Sequence, residues 1–492
     1  MNQNITRLAV AGVVLLAALI VATTYWQTWA AASLAERQDN AIQRVAEFEI
    51  RRGEILTEEG APLAVNVRKR VGSKTLYFRR YPQHKLFAHV VGYSTQARSR
   101  AGIERSWNDY LTASNANLNT LVDRTLDELR GSTIEGNDLI LTVNPQAQRV
   151  ALQQLGSRCG AVVVLEPPTG RVLVMASSPS YDPNLVEGKF RQASRAPGAE
   201  CKPAAPLLNR ATDGLYAPGS TFKVLTATAA LDTGAYDLDS RFDDPGYCEE
   251  YGKRVSNYDT TRPFGNVDFR QALQYSINSV FCNIGKDIGP ITILNYARRF
   301  GFYEKPPLGT PTSERSASGL YRKGELFFPK DPNQVDPGRL AFGQERLLVT
   351  PLQMAMVAAG VANDGVVMRP YVVDRVVSPK GHRVTTTKPH ELDRAMQPET
   401  AAKLTEAMVL AVASGTGTAA QLPGIEVAGK TGTAETGVAG LNTVSFVAFA
   451  PANAPRLAIA VIVENQRSTG GQTAAPIARA VMQALLVGRR TP

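Results

Sequence analysis

The chain has 492 residues, a formal net charge of +10 and a pI near 9.4. Hydrophobic residues make up 44% and charged residues 20%, the balance of a folded chain, and the length exceeds one ordinary core, so two or three domains are expected. The basic balance suits an anionic membrane, an anionic polymer or a merely solvated surface. The lack of a long lysine/arginine block, a zinc-finger spacing or a phosphate-binding glycine loop argues against nucleic-acid and nucleotide-phosphate chemistry.

The N-terminus comes first. Leu8 to Ala22 is almost wholly apolar, and Thr23 and Thr24 extend it to Tyr25, Trp26 and Trp29. A span needs about 20 residues, and interfacial aromatics mark its end. Arg7 is the only charge before it, so residues 1–30 are expected to be a short cytoplasmic tip and a single transmembrane helix, with the body outside the cytoplasm. The alternative is a cleaved signal peptide ending near Ala30-Ala31-Ala32, which leaves the body in the same place.

Residues 31–150 read as a small mixed α/β module. Ala31 to Val45 is expected to be a charged helix. Arg52-Gly53-Glu54-Ile55-Leu56, the turn at Glu59-Gly60 and Pro62-Leu63-Ala64 suggest short strands. Short pairs such as Arg51-Arg52 and Arg79-Arg80 carry no claim of their own.

From about 155 to 490 one larger domain is expected. Asp138 to Val143 reads as a strand and Pro145 to Leu155 as a helix leading into it. Ala161 to Leu165 and Val172 to Ala176 flank a turn and read as a hairpin. Helical segments are expected to about residue 415. Strands return at Ile425 to Ala428, Val444 to Phe449 and Leu457 to Val463, and a last helix covers Ala474 to Val487. Strands at both ends with helices between give an α+β fold, an antiparallel sheet flanked by helices.

Cys159, Cys201, Cys248 and Cys282 lack metal-ligand spacing and suit an oxidising compartment. Three pairings are open, as are four free thiols; Cys248 with Cys282 is the expected pair, because each lies near the chemical motifs below.

Three short motifs carry chemistry. Pro218-Gly219-Ser220-Thr221-Phe222-Lys223 opens an apolar helix. Ser220 and Lys223 are three apart and share a face. A serine hydroxyl needs a base, and a buried lysine with a lowered pKa is one. Alone, Ser220 reads first as a helix N-cap after Pro-Gly. Ser276-Ile277-Asn278 places a hydroxyl and an amide where the helical pattern breaks: Ser276 is the candidate proton relay and Asn278 the candidate ligand of a substrate amide. The bland alternative is a turn between helices. Gly429-Lys430-Thr431-Gly432-Thr433 continues a strand, so Lys430 and Gly432 share one side and Thr431 and Thr433 the other. Lys430 is expected to supply positive charge, Thr431 and Thr433 to bind a carboxylate, and Gly432 to let substrate approach. The four histidines, His84, His89, His382 and His390, lie away from these motifs, which leaves lysine as the base.

The ordered set resembles the class B penicillin-binding proteins, serine D,D-transpeptidases. The resemblance extends over nearly the whole chain. Arg52-Gly53-Glu54-Ile55 and Gly102-Ile103-Glu104 are similar to N-terminal elements of that family. Gly343-Gln344, Thr350 to Ala355 and Ala362-Asn363-Asp364-Gly365 are similar to its helical segment. The layout is similar to the actinobacterial A-type members. Val444-Ser445-Phe446 departs from the family, which often has a tryptophan before that phenylalanine.

The resemblance implies a penicillin-binding, serine β-lactamase-like transpeptidase domain on a non-catalytic pedestal. It implies acylation of Ser220 by peptidoglycan stem peptides ending in D-Ala-D-Ala, and by β-lactams, with an oxyanion hole from the N–H groups of Ser220 and Thr433. It also implies a polytopic glycan polymerase of the shape, elongation, division and sporulation group as partner. Neither a metal nor a cofactor is expected. The rival readings are a D,D-carboxypeptidase or β-lactamase-type hydrolase, and a non-catalytic penicillin-binding scaffold.

Overall fold

The computed structural model describes residues 2–25, 47–96, 98–115, 125, 133–260 and 263–487. The expected helix over 31–45 and the aromatics Trp26 and Trp29 lie outside the described residues.

In chain order, α1 spans Asn2–Tyr25. β1 (Ile55–Thr57), β2 (Pro62–Val71) and β3 (Lys74–Arg80) follow. β4 (Asp138–Leu141) leads to α2 (Pro145–Leu155), and then to the hairpin of β5 (Gly160–Leu165) and β6 (Val172–Ser178). A 3-10 turn at Gly219–Phe222 runs into α3 (Lys223–Asp232). Next come α4 (Phe269–Gln274), α5 (Asn278–Ile288) and α6 (Pro351–Ala362). β7 (Val373–Val377), β8 (Arg383–Thr386) and α7 (Pro398–Ala413) precede β9 (Ala428–Glu435), β10 (Asn442–Ala450), β11 (Leu457–Gln466) and α8 (Ala474–Leu486).

The catalytic sheet has the order β9-β10-β11-β5-β6, antiparallel throughout. Both faces are covered, which explains why β5 is buried at every position and reads as a continuous apolar run. Side chains alternate across it. Val162 and Val164 join the core under α2 and α8, while Ala161, Val163 and Leu165 join the core under α3, α6 and α7. α2 matches its expected bounds because its ends are chemically marked. Asn144 Oδ1 accepts from Ala147 N, Pro145 opens the first turn, and Gly156 follows the last.

The second sheet has the order β8-β7-β4-β1-β2-β3. β1 and β4 pair in parallel, and β7 pairs with β4 in antiparallel fashion. Strands on both sides of the expected 150–155 boundary therefore share one sheet. Its lower part is pinned by Glu104, which is fully buried and accepts from Arg52 Nε at 2.8 Å and Arg79 Nε at 2.7 Å. Burial pushes the Glu104 carboxyl up, but Arg79 and Arg52 more than offset this and hold it below the usual carboxylate range.

Two sequence expectations change. The stretch to residue 415 is not helical throughout. It holds short strand pairs such as Arg241–Asp244 with Gly265–Asp268 and Tyr247–Glu250 with Lys253–Ser256, whose few, mostly polar residues carry no apolar period. The strand expected at Ile425 begins at Ala428, because Ile425 closes a turn by donating its N–H to Leu422 O. α1 is helical over the expected anchor segment, with Val13, Leu15 and Leu19 exposed; among the described residues no helix is long and apolar enough to cross a membrane.

The cysteines form two disulfides, Cys159–Cys201 and the expected Cys248–Cys282. The second ties the Tyr247–Ser256 hairpin to α5.

Candidate active site

Ser220 sits in the 3-10 turn ahead of α3, and its side chain caps neither that turn nor the helix. The hydroxyl instead lines a cavity of about 310 Å³. The turn is set by close backbone packing. Gly219 N donates to Gly343 O at 3.1 Å. Gly343 has φ of +80°, and a Cβ there would run into Gly219 O.

Lys223 opens α3 and is fully buried. Its Nζ donates to Ser276 O at 2.7 Å, to Asn278 Oδ1 at 2.7 Å and to Ser276 Oγ at 3.2 Å. It also lies 5.3 Å from the centre of the Phe281 ring. Burial, and then the nearby Lys430 charge, push its pKa well below the ordinary lysine value. The three oxygens satisfy an ammonium. An amine donates two protons to them and keeps a lone pair.

Ser276 and Asn278 are brought to this amine by a break between α4 and α5. Ser276 has φ of +61°, a left-handed conformation uncommon outside glycine, and Ile277 is extended. The turn expected as the bland alternative is thus present, and it is what aims both side chains at Lys223. The start of α5 is held from outside: Asn278 Nδ2 donates to Ser256 O at 3.1 Å, and Asn257 Oδ1 accepts from Ser279 N at 3.0 Å. Asp244 accepts from Asn257 Nδ2 at 2.8 Å, from Phe264 N at 2.9 Å and from Ser279 Oγ.

β9 supplies the third motif with the expected alternation. Lys430 is fully buried and donates to Thr431 O at 3.0 Å. Burial lowers its pKa to about 7, so its charge is partial at neutral pH rather than fixed. Thr431 and Thr433 line the cavity with Ser220, Ser276 and Asn278. Gly432 differs from expectation. A Cβ there would meet Ser445 Oγ and lie 2.7 Å from Pro218 O, so its bareness lets β9 pack on the nucleophile turn rather than admitting substrate. Ser445, where the family often has tryptophan, donates its hydroxyl to Pro218 O at 3.2 Å.

Other cavity residues were not read from the sequence. Thr416 Oγ1 lies 2.6 Å from Thr431 Oγ1, and Gly470 N donates to Thr433 Oγ1 at 3.2 Å. Thr469 and Gly471 extend this hydroxyl-rich wall. The run Ser414-Gly415-Thr416-Gly417 and the pair Gly470-Gly471 were the available signals, since glycines beside hydroxyls mark close backbone approach. Asn257, Tyr258, Phe264 and Gln344 also line the cavity and carried no such signal. None of the four histidines does.

The arrangement can perform nucleophilic acyl transfer: a serine one helical turn before a buried lysine, a second hydroxyl on that lysine, and a wall of threonines with a second lysine behind it.

Comparison with known proteins agrees. Residues 160–483 match the family described as "Penicillin binding protein transpeptidase domain", and residues 52–139 match "Penicillin binding protein A dimerisation domain". The chain is 35% identical to the peptidoglycan D,D-transpeptidase PbpA of Mycobacterium tuberculosis over 520 residues, covering 99% of this chain and 100% of the relative. It is 31% identical to the peptidoglycan D,D-transpeptidase MrdA of Acinetobacter baumannii, covering 85% of this chain and 67% of that protein. The ceftriaxone acyl-enzyme complex of penicillin-binding protein A from M. tuberculosis superposes with a TM-score of 0.78 at 34% identity, covering 90% of this chain and 100% of that one. The chain belongs to the penicillin-binding protein transpeptidase family.

Proposed function

We propose that this chain is a peptidoglycan D,D-transpeptidase of cell-wall synthesis that works through an acyl-enzyme on Ser220. The observation that carries this reading is the contact of the buried Lys223 amine with Ser276 and Asn278, at the wall of the cavity that Ser220 lines.

Lys223 as the amine takes the Ser220 proton as Oγ attacks the carbonyl between the two terminal D-alanines of a stem peptide. The N–H groups of Ser220 and Thr433 stabilise the oxyanion. The C–N bond breaks, and Ser276 relays the proton from Lys223 to the departing D-alanine amine. An amine of a second stem then attacks the ester carbonyl, the bond from that carbon to Ser220 Oγ breaks, and the amine's proton returns through Lys223 to Ser220 Oγ, leaving a cross-link and the free serine. Asn278 orients the donor amide. Thr431 and Thr433 bind the terminal carboxylate, with Lys430 behind them as a source of positive charge. A β-lactam enters by the same attack.

The remaining parts of the reading are organisational. Residues 1–30 anchor the chain as a single-pass span with the catalytic part outside the cytoplasm, supported by the apolar run from Leu8 to Ala22. Residues 31–150 form a pedestal that meets a polytopic glycan polymerase.

The test is acylation of the full chain by a fluorescent penicillin, read on a denaturing gel over time beside Ser220→Ala. A stable band lost in the variant is expected. No band from folded wild type sinks the catalytic reading in favour of a scaffold, and a band that decays within minutes reassigns the chain as a hydrolase.

A further inference from the structure

The hairpin of β2 and β3 leaves its own sheet. From Val67 to Thr75, nine consecutive residues are exposed on both strands. Residues 66–75 carry Arg68, Lys69, Arg70 and Lys74 and no acid. At the tip, Val71 is 56% exposed, an apolar side chain set among cations. Nearby compensation is slight: Lys74 Nζ meets Glu49 at 2.5 Å, and Lys69 Nζ lies over the Phe78 ring at 5.2 Å. A two-stranded ribbon with both faces in water gains little stability of its own.

What covers this ribbon follows from its chemistry. A second copy of the chain would bring the same cations against themselves, at the edge of a sheet where like charges oppose pairing. A valine ringed by arginine and lysine suits a surface that is anionic outside and apolar within, which describes a bilayer of acidic phospholipid. The hairpin also packs on the first residues described after α1. Tyr77 N donates to Phe48 O at 2.7 Å, and the Phe48 and Phe78 rings are 5.5 Å apart.

We propose that the β2–β3 hairpin is a second membrane contact, with Arg68, Lys69, Arg70 and Lys74 on lipid phosphates and Val71 in the interface. This rests on the anchor reading above. Each basic side chain near an anionic bilayer strengthens binding roughly fivefold, and salt weakens the effect as it shortens the screening length.

The test uses the full chain in vesicles of phosphatidylcholine alone and of phosphatidylcholine with phosphatidylglycerol. Ser73→Cys takes a polarity-sensitive fluorophore; among the described residues every native cysteine is in a disulfide. A blue shift on the anionic vesicles alone is expected, fading with added salt and absent when Arg68, Lys69 and Arg70 are changed to Glu, while penicillin acylation of that variant is unchanged. If the chain floats with both vesicles and the label responds equally on each, the hairpin contact is overturned and the anchor stands. Flotation with anionic vesicles only, lost in the charge-reversed variant, upholds the hairpin and overturns the anchor. Flotation with neither overturns both. An equal shift with soluble polyphosphate overturns the bilayer assignment in favour of an anionic polymer.

Discussion

Lys223 and Ser276, 53 residues apart in sequence, are joined twice: the amine donates to the Ser276 carbonyl at 2.7 Å and to its hydroxyl at 3.2 Å. One contact is to the backbone of the turn and the other reaches the group proposed to move the proton, so the base itself helps to hold the break between α4 and α5.

Replacing Lys223 with Met is expected to slow acylation of Ser220 by about 10²–10⁴-fold, the usual contribution of a positioned base. Three oxygens lose a partner, at about 1–3 kcal/mol for each that stays buried and unpaired, and unfolding stays cooperative. Stopped-flow acylation and urea denaturation measure the two effects separately.

Lys430 gives a pH signature. Its folded pKa is about 7 and its ordinary value 10.5. Between these values the unfolded chain binds more protons, so this group makes the fold more stable as pH rises across the window, by about 1.4 kcal/mol per pH unit. Below pH 7 it is protonated in both states and contributes no slope. Urea midpoints from pH 6 to 10 for wild type and Lys430→Met should diverge across that window. Parallel curves would show the amine to be charged in the fold.

Glu104→Ala leaves the Arg52 and Arg79 guanidiniums buried without their carboxylate. A loss of about 3–5 kcal/mol is expected, read by thermal or urea unfolding. The carboxyl is held below its ordinary 4.5, so its contribution is present above that pH and is lost as pH falls through the lower folded value. The variant should therefore show a weaker acid sensitivity than wild type.

Cys248→Ser with Cys282→Ser opens a loop of sequence separation 34. Chain entropy puts the loss at about 3–4 kcal/mol. Ser256 and Asn257 follow the released strand and hold the start of α5, so acylation should slow as well. Equal acylation rates in the double variant and wild type would confine the bond to stability.

Residue type made the three motifs legible, and continuous burial made β5 and β6 legible as apolar runs. Other features depend on relations the local sequence does not carry. The left-handed Ser276 is a backbone conformation with no glycine to announce it. Thr416 reaches Thr431 only because α7 ends beside β9. Gly432 was read as space for substrate, whereas the strand needs that space for Ser445 and Pro218. Arg51-Arg52 and Arg79-Arg80 carried no claim in the sequence, yet one member of each turns inward to Glu104.

The shared sheet has a practical consequence. β7 and β8 return from the far side of the nucleophile to extend a sheet begun before it, with Val376 opposite Leu139. A chimera that exchanged the pedestal by cutting near residue 150 would replace β1 to β4 together and leave β7 paired with a foreign β4. The transplantable unit is discontinuous: the N-terminal strands together with residues 373–386, although the nucleophile turn lies between them in the chain.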